Sequence, residues 1–521
     1  MNLPVNPASR IFALNKSFPL PGSEGEKSIF SALQKSFAVQ YENIFPDKLA
    51  ARTVVIIPSL SLDQEILSKI KGAVHYEERM LCLLLLLRMP RTKVIYVTSV
   101  PIADSIVDYY LHLLPGITGR HALKRLSLIS CHDSSIKPLT QKILDRPRLI
   151  EKISEQITDK ESAHLTCFNI TPLEKSLAVR LGIPLFGTDP DLAYEGTKSG
   201  GRKSFREAGV DLPAGFEDLR SRDEVIQALA SLKVKYPQLR KAVVKINDGF
   251  SGDGNAIYIY PQMEVNEDPG NAIRNSFSQQ LKMVAEGLSE EIFFTKLGEM
   301  HGIVEEFLDG EVKMSPSVQC VIGPDKKIEI VSTHDQILGG ADNQVYLGAE
   351  FPANKEYSLS LAANGRKIAE VLANKGAIGR FAIDFITVKQ KDGSWKHYAI
   401  EINLRKGGTT HPLLMLQFLT DGKYDETTGE YRTKSGHRRH YFASDNVIHE
   451  KYKGLTPDDL IDISIYHDLM FDGATKEGIM FHLIGALSEF GKFGVLCVGT
   501  SPEKAREYYS KIIRVLDLEC E

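Results

Sequence analysis

The sequence predicts a multidomain protein that combines an α/β half with an α+β half. First, 521 residues are too many for one ordinary hydrophobic core. Second, short Val- and Ile-rich runs alternate with helical patterns up to about residue 190, which is typical of a parallel sheet covered on both faces. Third, the pattern changes to α+β from Tyr194 to about Asp445 and ends in a small α/β tail. We therefore predict three domains, over residues 1–190, 191–450 and 451–521.

Composition narrows the class of protein. The chain is 43% hydrophobic and 25% charged with a net charge of −4, so nothing points to nucleic acid or to an anionic membrane as a partner. Its six cysteines form no CxxC pair, which favours a reducing compartment and argues against a structural metal site. The apolar run 81–87 is far shorter than the roughly 20 residues that span a bilayer. We expect a cytoplasmic enzyme.

The elements of the first domain follow from its apolar runs. Residues 1–50 are polar and predict only short helical patches. The later segments alternate: strands at Thr53–Ile57, Lys93–Val97 and Leu126–Ile129, helices around 81–87 and 105–114, and an apolar segment at 165–168. We interpret this domain as Rossmann-like. It has no GxGxxG after its first strand, so we do not expect a dinucleotide there.

The second and third domains contain weaker signals. A helix is predicted over 359–375, where a one-sided apolar stripe ends at Gly376. The polar, glycine-containing stretch 421–440 predicts an excursion or hairpin outside the core. In the tail we expect a helix start at Thr456–Asp459, an apolar helix near 479–487, a strand at Gly494–Val498 and a closing helix.

A lysine and a glycine-rich turn separate two predicted strands. Lys245 ends the first strand (242–246), and the second strand (256–260) follows the turn. The turn contains Gly249, Ser251, Gly252 and Gly254. Glycines allow backbone N–H groups to approach a polyphosphate, and the lysine can reach a phosphate as a point charge. A loose hairpin loop explains the same pattern equally well.

Two predicted strands, 381–386 and 398–403, each carry an acid in the middle of an apolar run. A hairpin signal at Lys391–Ser394 joins them. A buried carboxylate is costly unless it is paired or binds a metal. Asp384, Glu401 and Asn403 would form an all-oxygen site suited to Mg²⁺. The alternative is structural, with both acids paired to the nearby Arg380 and Arg405.

Two further segments fit a nucleotide site but are weak alone. The strand ending in Glu305, Glu306, Phe307 and Leu308 could offer backbone groups to an adenine edge, with an acid accepting from its amino group. Lys198 opens a predicted helix that runs to Ala208. A lysine at a helix start is more often solvated than functional.

In this order the segments resemble the ATP-grasp superfamily. The resemblance implies that Lys198 and Lys245 contact phosphates, and that residues 305–308 form a hinge strand beside adenine with Glu311 near the ribose. It also implies that Asp384, Glu401 and Asn403 bind Mg²⁺, and that Arg405 and Arg380 face the transferring phosphoryl group. ATP and Mg²⁺ are the cofactors it implies.

A closer resemblance covers nearly the whole chain. The run from Ile400 to Arg405, followed by Gly407–Pro412, and the tail segment Gly478–Leu483 look like the pheganomycin-type peptide ligases. That family places an ATP-grasp core between a Rossmann-like pre-ATP-grasp domain and a small α/β C-terminal domain. It implies amide formation between an amino-acid-like carboxylate and the amine of an amino acid or peptide, through an acyl phosphate.

The same resemblance suggests substrate residues and leaves two other functions open. The candidates for substrate contact are His334, Asp335, Gln336, Thr409, Thr410 and His411. Related enzymes also make a homodimer an expectation. The alternatives are an ATP-grasp kinase that phosphorylates a small molecule, and a nucleotide-binding regulatory protein.

Overall fold

The computed structural model describes residues 18–61, 72–248, 254–262, 268–284, 288–339 and 345–520. Within these ranges the chain forms three sheets that matter for the site: a parallel sheet of four strands, an antiparallel sheet of five and an antiparallel sheet of nine. Among the described residues no helix is long and apolar enough to cross a membrane.

The first domain has the predicted parallel sheet. Its strands are β1 (Arg52–Ile57), β2 (Thr92–Thr98), β3 (Leu126–Ser130) and β4 (Ala163–Cys167), in the order β3-β2-β1-β4. Its helices are α1 (Glu24–Ile44), α2 (Asp104–His112), α3 (Gly119–Leu123), α4 (Leu139–Leu144), α5 (Pro147–Gln156) and α6 (Pro172–Leu181), with a 3₁₀ segment at Ala73–Arg88. The Rossmann-like prediction is therefore confirmed for this sheet.

One long helix in this domain exceeds the prediction of short patches. Helix α1 begins after Ser23, whose hydroxyl accepts from the backbone N–H of Glu26. It buries Phe30 and Phe37, while Phe37 stacks on His164 of β4 with ring centroids 5.7 Å apart. Because the outer face of α1 is polar, the sequence pattern did not reveal this apolar stripe.

The five-stranded sheet forms the first half of the α+β region. It consists of β5 (Gly215–Leu219), β6 (Lys241–Ile246), β7 (Asn255–Ile259), β8 (Leu281–Met283) and β9 (Gly302–Glu306), in the order β5-β9-β6-β7-β8. Helices α7 (Lys198–Glu207), α8 (Arg222–Lys235), α9 (Pro269–Gln280) and α10 (Glu290–Met300) accompany it, and a 3₁₀ turn at Pro190–Gly196 precedes α7. The predicted strand–turn–strand around Lys245 is β6 and β7.

The nine-stranded sheet forms the second half and continues into the tail. Its strands are β10 (Lys313–Met314), β11 (Pro316–Ile322), β12 (Ile328–Gly339), β13 (Val345–Phe351), β14 (Gly379–Lys389), β15 (Trp395–Asn403), β18 (His440–Ile448), β19 (Gly478–His482) and β20 (Lys492–Gly499). Helices α11 (Ser358–Lys375), α12 (Thr410–Thr420), α13 (Pro457–Tyr466), α14 (Leu487–Phe490) and α15 (Pro502–Glu519) complete this part, with 3₁₀ turns at Glu450–Tyr452 and Ile484–Ala486. Because β20 pairs with β18 and β19, the tail extends the same sheet as the core.

Two local predictions in this region are wrong. Residues 479–487 do not form one apolar helix, since Gly478–His482 is the fully buried strand β19; a short apolar run does not distinguish a buried strand from a buried helix. The stretch 421–440 does contain a hairpin, β16 (Lys423–Asp425) with β17 (Glu430–Arg432), but it is not outside the core. Tyr424 and Tyr431 are 2% and 1% exposed.

Candidate active site

A cleft of about 960 Å³ lies between the five-stranded and the nine-stranded sheets and reaches the first domain. One wall comes from the start of α7 and from β6, β7 and β9, and the other from β12, β14 and β15. The lysines and carboxylates that the sequence predicted lie close together here, because the helix and strands that carry them face each other across the cleft.

Lys198 is held at the first turn of α7. Thr197 caps the helix by accepting from the N–H of Gly200 at 3.0 Å. A Cβ on Gly200 would lie 1.9 Å from the carbonyl oxygen of Tyr194, so this close approach requires glycine. Asn247, at the end of β6, accepts from both the N–H and the hydroxyl of Ser199. The start of α7 and the end of β6 are thereby fixed to each other.

Lys245 belongs to a buried charge network. Its Nζ lies 2.5 Å from Glu305 Oε1, and Glu305 is only 3% exposed. Arg202, from α7, donates to the other oxygen of Glu305 at 3.0 Å and to Glu217 at 2.7 Å. Glu305 therefore orients Lys245 in this structure, whereas the sequence predicted that either Glu305 or Glu306 accepts from an adenine amino group.

The hinge after β9 lines the same cleft. Glu306 accepts from the backbone N–H of Ala214 at 2.8 Å, which fixes the strand end to the neighbouring segment. The ring of Phe307 has the ammonium groups of Lys241 and Lys313 at 5.3 and 4.9 Å from its centroid. Phe307 and Leu308 add an apolar edge to the cleft, and the N–H of Phe307 donates to the carbonyl oxygen of Lys241 at 3.3 Å.

The two acids lie directly opposite each other on paired strands. Asp384 of β14 is the register partner of Glu401 of β15, next to a β-bulge. Asp384 accepts from Gln336 at 2.7 Å and from Asn403 at 2.9 Å. Glu401 lies 3.5 Å from the ammonium group of Lys198. Among the described residues neither acid forms an ion pair with an arginine, so the structural alternative of two Arg–acid pairs is not formed there.

The electrostatics of the pair are asymmetric. Burial, and then the negative charge of Glu401, raise the pKa of Asp384 to about 7. Burial opposes the charged form of Glu401 as well, but Lys198, Lys245 and Arg405 outweigh it and lower the pKa of Glu401. Burial is also the main reason that the pKa of Arg405 is lowered. Like charges facing each other across a ladder are unfavourable, and a divalent cation would remove that repulsion.

The donor set fits Mg²⁺ on chemical grounds. Two carboxylates and one amide supply hard oxygen ligands, which this ion prefers together with water and phosphate oxygens. In the described parts of the chain no cluster of three or more His, Cys, Asp or Glu side chains is arranged for a metal. The site therefore fits an ion shared with phosphate groups rather than one held by protein alone.

Comparison with known proteins agrees with this geometry. Residues 191–284 and 289–427 match a family model described as IQCH-like, ATP-grasp, and these are the residues that build both walls of the cleft. These residues form a core with the ATP-grasp fold. Residues 467–512 match a second model, described as PGM1 C-terminal domain, which lies in the tail that extends the core's sheet.

Two curated relatives align over most of the ATP-grasp core and beyond it. The L-propargylglycine–L-glutamate ligase of Streptantibioticus cattleyicolor is 27% identical over 464 residues, which cover 88% of this chain and 92% of that protein. The IQ motif-containing protein H of Danio rerio is 24% identical over 437 residues, which cover 75% of this chain and 40% of that longer protein.

Solved structures share the fold. A biotin carboxylase from Campylobacter jejuni, in a complex with β,γ-ATP, superposes with a TM-score of 0.52 at 12% identity, covering 89% of this chain and 91% of that one. The ADP complex of purK, an N5-carboxyaminoimidazole ribonucleotide synthetase, gives 0.50 at 14% identity, covering 90% and 98%. At such identities the likeness shows the ATP-grasp architecture alone.

The cleft of the ATP-grasp core collects most of the predicted site residues. Those that line it are Lys198, Lys245, Gly254, Glu305, Glu306, Phe307, Leu308, Gln336, Asp384, Glu401, Asn403, Arg405 and Thr409. Gly249, Ser251 and Gly252 lie outside the described residues, so their predicted phosphate contacts stay predictions.

Six other predicted residues do not line the cleft. Arg380 is directed toward Gln319, 3.5 Å away, and Glu311 is exposed in the turn before β10. Thr410 caps the loop before α12, where its hydroxyl accepts from the N–H of Gly407 at 3.0 Å. Asp335 lies on the opposite face of β12 from Gln336 and accepts from the hydroxyl of Tyr357.

Two histidines among these six are buried away from the cleft. His334 is fully buried, and its Nε2 lies 2.5 Å from the hydroxyl of Tyr441. Burial lowers its pKa to about 3, so the ring is neutral. His411 is 3% exposed and packs on His482 with ring centroids 4.2 Å apart. Both act in packing in this structure.

Several residues in or next to the cleft escaped the sequence reasoning. Arg202 lies one helical turn after Lys198, yet nothing in its neighbours marks it as a partner of Glu305. Tyr76 and Arg79 come from the first domain, Asp445 comes from β18, and Lys492 comes from β20 in the tail. Only the fold brings these four together, because more than 300 residues separate the first two from the last two.

Proposed function

We propose that this protein is an ATP-dependent carboxylate–amine ligase, which forms an amide bond through an acyl phosphate. The proposal rests on one observation: Glu401 lies between a group of oxygen ligands and a pair of lysines. On one side lie the acid and amide oxygens of Asp384 and Asn403, and on the other the cations Lys198 and Lys245. This is the arrangement that a polyphosphate and its counter-ion require.

Two lysines would bind the phosphates of ATP. Lys198, at a helix N-terminus, and Lys245, oriented by Glu305, would contact phosphate oxygens from two directions. The edge formed by Glu306, Phe307 and Leu308 would receive the base. Gly254, which lines the cleft just before β7, would let the backbone approach the phosphates closely.

Mg²⁺, when bound, would neutralise charge on the phosphate oxygens that leave and transfer. Asp384, Glu401 and Asn403 are the residues that would hold it. Arg405, half-buried beside them, would stabilise the negative charge that develops on the transferring phosphoryl group. Arg380, although predicted for the same task, faces Gln319 and is not included in this proposal.

The proposed reaction has two steps. A carboxylate oxygen attacks the γ-phosphorus of ATP, the bond from phosphorus to the bridging oxygen breaks, and ADP leaves. The amine then attacks the acyl carbon, the bond from carbon to the phosphate oxygen breaks, and inorganic phosphate leaves with those electrons. One proton from the amine passes to solvent. The protein supplies mainly positioning and charge stabilisation.

The substrates we propose are two amino-acid-like molecules, or an amino acid and a peptide. Support comes from the relative named for joining L-propargylglycine to L-glutamate, which aligns with 88% of this chain. These two compounds are therefore the first probes, followed by the other amino acids and short peptides.

The decisive experiment measures ADP release with Mg²⁺–ATP across this panel, and then the mass of the product. A product equal to both substrates minus water supports ligation, together with one phosphate released per amide. A stable product that gains one phosphate would instead mean a kinase, and nucleotide binding without turnover would mean a regulatory protein.

Glu401→Gln provides the matched test of the site. We expect this variant to fold normally and to release ADP at least ~100-fold more slowly, because one charge of the ion site is lost. Glu356→Gln is the control, since Glu356 is an exposed partner of Lys389 far from the cleft. Unchanged turnover in Glu401→Gln would contradict the assignment.

A further inference from the structure

The cleft continues past the carboxylate pair into a second region, which we call the far pocket. Its residues are Tyr76, Arg79, Phe168, Tyr346, Asp445, Asn446 and Lys492. They come from the first domain, from β13 and from the strands β18 and β20. None of them belongs to the proposed ATP-contacting set, so the far pocket needs a separate explanation.

Arg79 is the central cation of the far pocket. It donates to Asp445 at 2.7 Å, and each side chain is only 9% exposed. The guanidinium carbon lies 4.1 Å from the ring centroid of Tyr76 and 5.6 Å from that of Phe168. Its Nε is buried and has no hydrogen-bond partner among the residues that the structure describes. An oriented, buried donor without an acceptor is costly unless a ligand supplies one.

Lys492 adds a second cation. Its ammonium group donates to the hydroxyl of Tyr76 at 2.8 Å and is half-buried. The far pocket thus contains two cations, Arg79 and Lys492, and one carboxylate, Asp445. Asp445 is already partnered with Arg79, so the pocket retains an excess positive charge that suits an anionic group.

The far pocket is next to the proposed reaction centre. Arg79 and Arg405 line the same cleft, and the positive charge of Arg79 adds to burial, the largest cause, in lowering the pKa of Arg405. Tyr346 also lines the cleft and packs on Gly408, where a Cβ would come 2.8 Å from its ring. Gly407 and Gly408 therefore line the same cleft as Arg405 and the far pocket.

We propose that the far pocket binds the amine-bearing substrate, and that this substrate is an amino acid with a free carboxylate. This inference rests on the proposed ligase function, since it names the second substrate of the same cleft. The acyl carbon forms beside Arg405, so the attacking amine must come from the region beyond Arg405.

The chemistry of the pocket matches both ends of such a molecule. Arg79 and Lys492 neutralise the carboxylate, and Asp445 accepts a hydrogen bond from the amine. An amine without a carboxylate would leave the cations unneutralised. Because Tyr76 and Arg79 come from the first domain, that domain selects the nucleophile. The competing explanation is a purely structural Arg79–Asp445 ion pair between the first domain and β18.

The experiment compares nucleophiles at a fixed acyl donor. Each carboxylate of the panel is incubated with Mg²⁺–ATP and hydroxylamine, which traps an acyl phosphate as a hydroxamate without using a carboxylate pocket. The donors that react are then offered the twenty amino acids and, for comparison, their α-carboxamides. We expect the accepted amino acid to have a KM at least ~10-fold below that of its carboxamide.

The variants separate recognition from structure. In Lys492→Gln we expect the KM for the amino acid to rise about 10-fold and its advantage over the carboxamide to shrink, so that amide formation falls more than hydroxamate formation. Arg79→Lys, which keeps the charge but loses the fork, should act in the same direction if it folds. Lys504→Gln is the control, because Lys504 pairs with Glu507 on the surface of α15.

The outcomes are distinguishable. If the wild type forms no hydroxamate with any donor, the ligase proposal fails and the far-pocket assignment fails with it. If hydroxamate forms but amino acids and their carboxamides react equally, or no free amino acid reacts, only the far-pocket assignment is overturned. An equal loss of hydroxamate and amide in Lys492→Gln would show a structural role and overturn it too.

Discussion

Replacing Asp384 by Asn should stabilise the protein while destroying its activity. Asp384 faces Glu401 across a strand pair, and Asn removes one of the two like charges at almost constant volume. The hydrogen bonds to Gln336 and Asn403 can be kept, because either amide can turn its oxygen toward the new NH₂ group. A site that is destabilised for function is expected to behave in this way.

The magnitude follows from the pKa of Asp384. In the fold it rises from 3.8 to about 7, so the folded protein binds this proton more tightly than the unfolded chain. Stability is therefore lost as the pH increases from about 4 to about 7, and the full difference corresponds to about 4 kcal/mol. Since the cleft is open to water, screening reduces this, and we expect about 2 kcal/mol.

The assay is thermal unfolding in the presence of a chelator, compared between wild type and Asp384→Asn. Near pH 4 the two should have the same Tm, and above pH 7 the variant should be the more stable by a few degrees. Added Mg²⁺ should raise the Tm of the wild type at high pH but not that of the variant. A pH-independent difference, or equal stabilisation of both by Mg²⁺, would refute the reasoning.

Two other substitutions test the scaffold around the site. Gly200→Ala should destabilise the protein by at least about 1–3 kcal/mol, because its Cβ would meet the carbonyl of Tyr194 at 1.9 Å; Gly473→Ala, with nothing within 4 Å, is the control in the same denaturant titration. His334→Ala should cost about 2–5 kcal/mol by leaving a cavity and an unpaired Tyr441 hydroxyl, while the folded fraction keeps its KM for every substrate. A raised KM in His334→Ala would restore it as a substrate residue.

The sequence predicted the parallel sheet, the β14–β15 hairpin and the core of the site for local reasons. Asp384 and Glu401 each interrupt an apolar run, and Lys245 precedes a glycine-rich turn, so the unusual residue and its context are adjacent in the chain. These signals can be recognised without the fold, because a charged residue within one apolar strand already indicates a costly burial.

The role of Glu305 and the orientations of Arg380 and His334 were beyond the sequence. Glu305 contacts both Lys245 and Arg202, which approaches from helix α7, and no pattern within the strand reports that contact. Arg380 is on the same strand as Asp384, four residues earlier. Its side chain is directed toward Gln319 and does not line the cleft. His334 has the polarity of a substrate residue, and only its burial against Tyr441 shows otherwise.

By itself the sequence determined the class of chemistry, since lysines, acids and glycines at fixed spacings describe a nucleotide site whatever surrounds them. The tertiary structure alone decided what borders that site. Tyr76, Arg79, Asp445 and Lys492 carry no local signature, and they meet only because the first domain and the strands β18 and β20 border the same cleft. The preference of the cleft for a second substrate depends on charges that are distant in the chain, and only packing makes them neighbours.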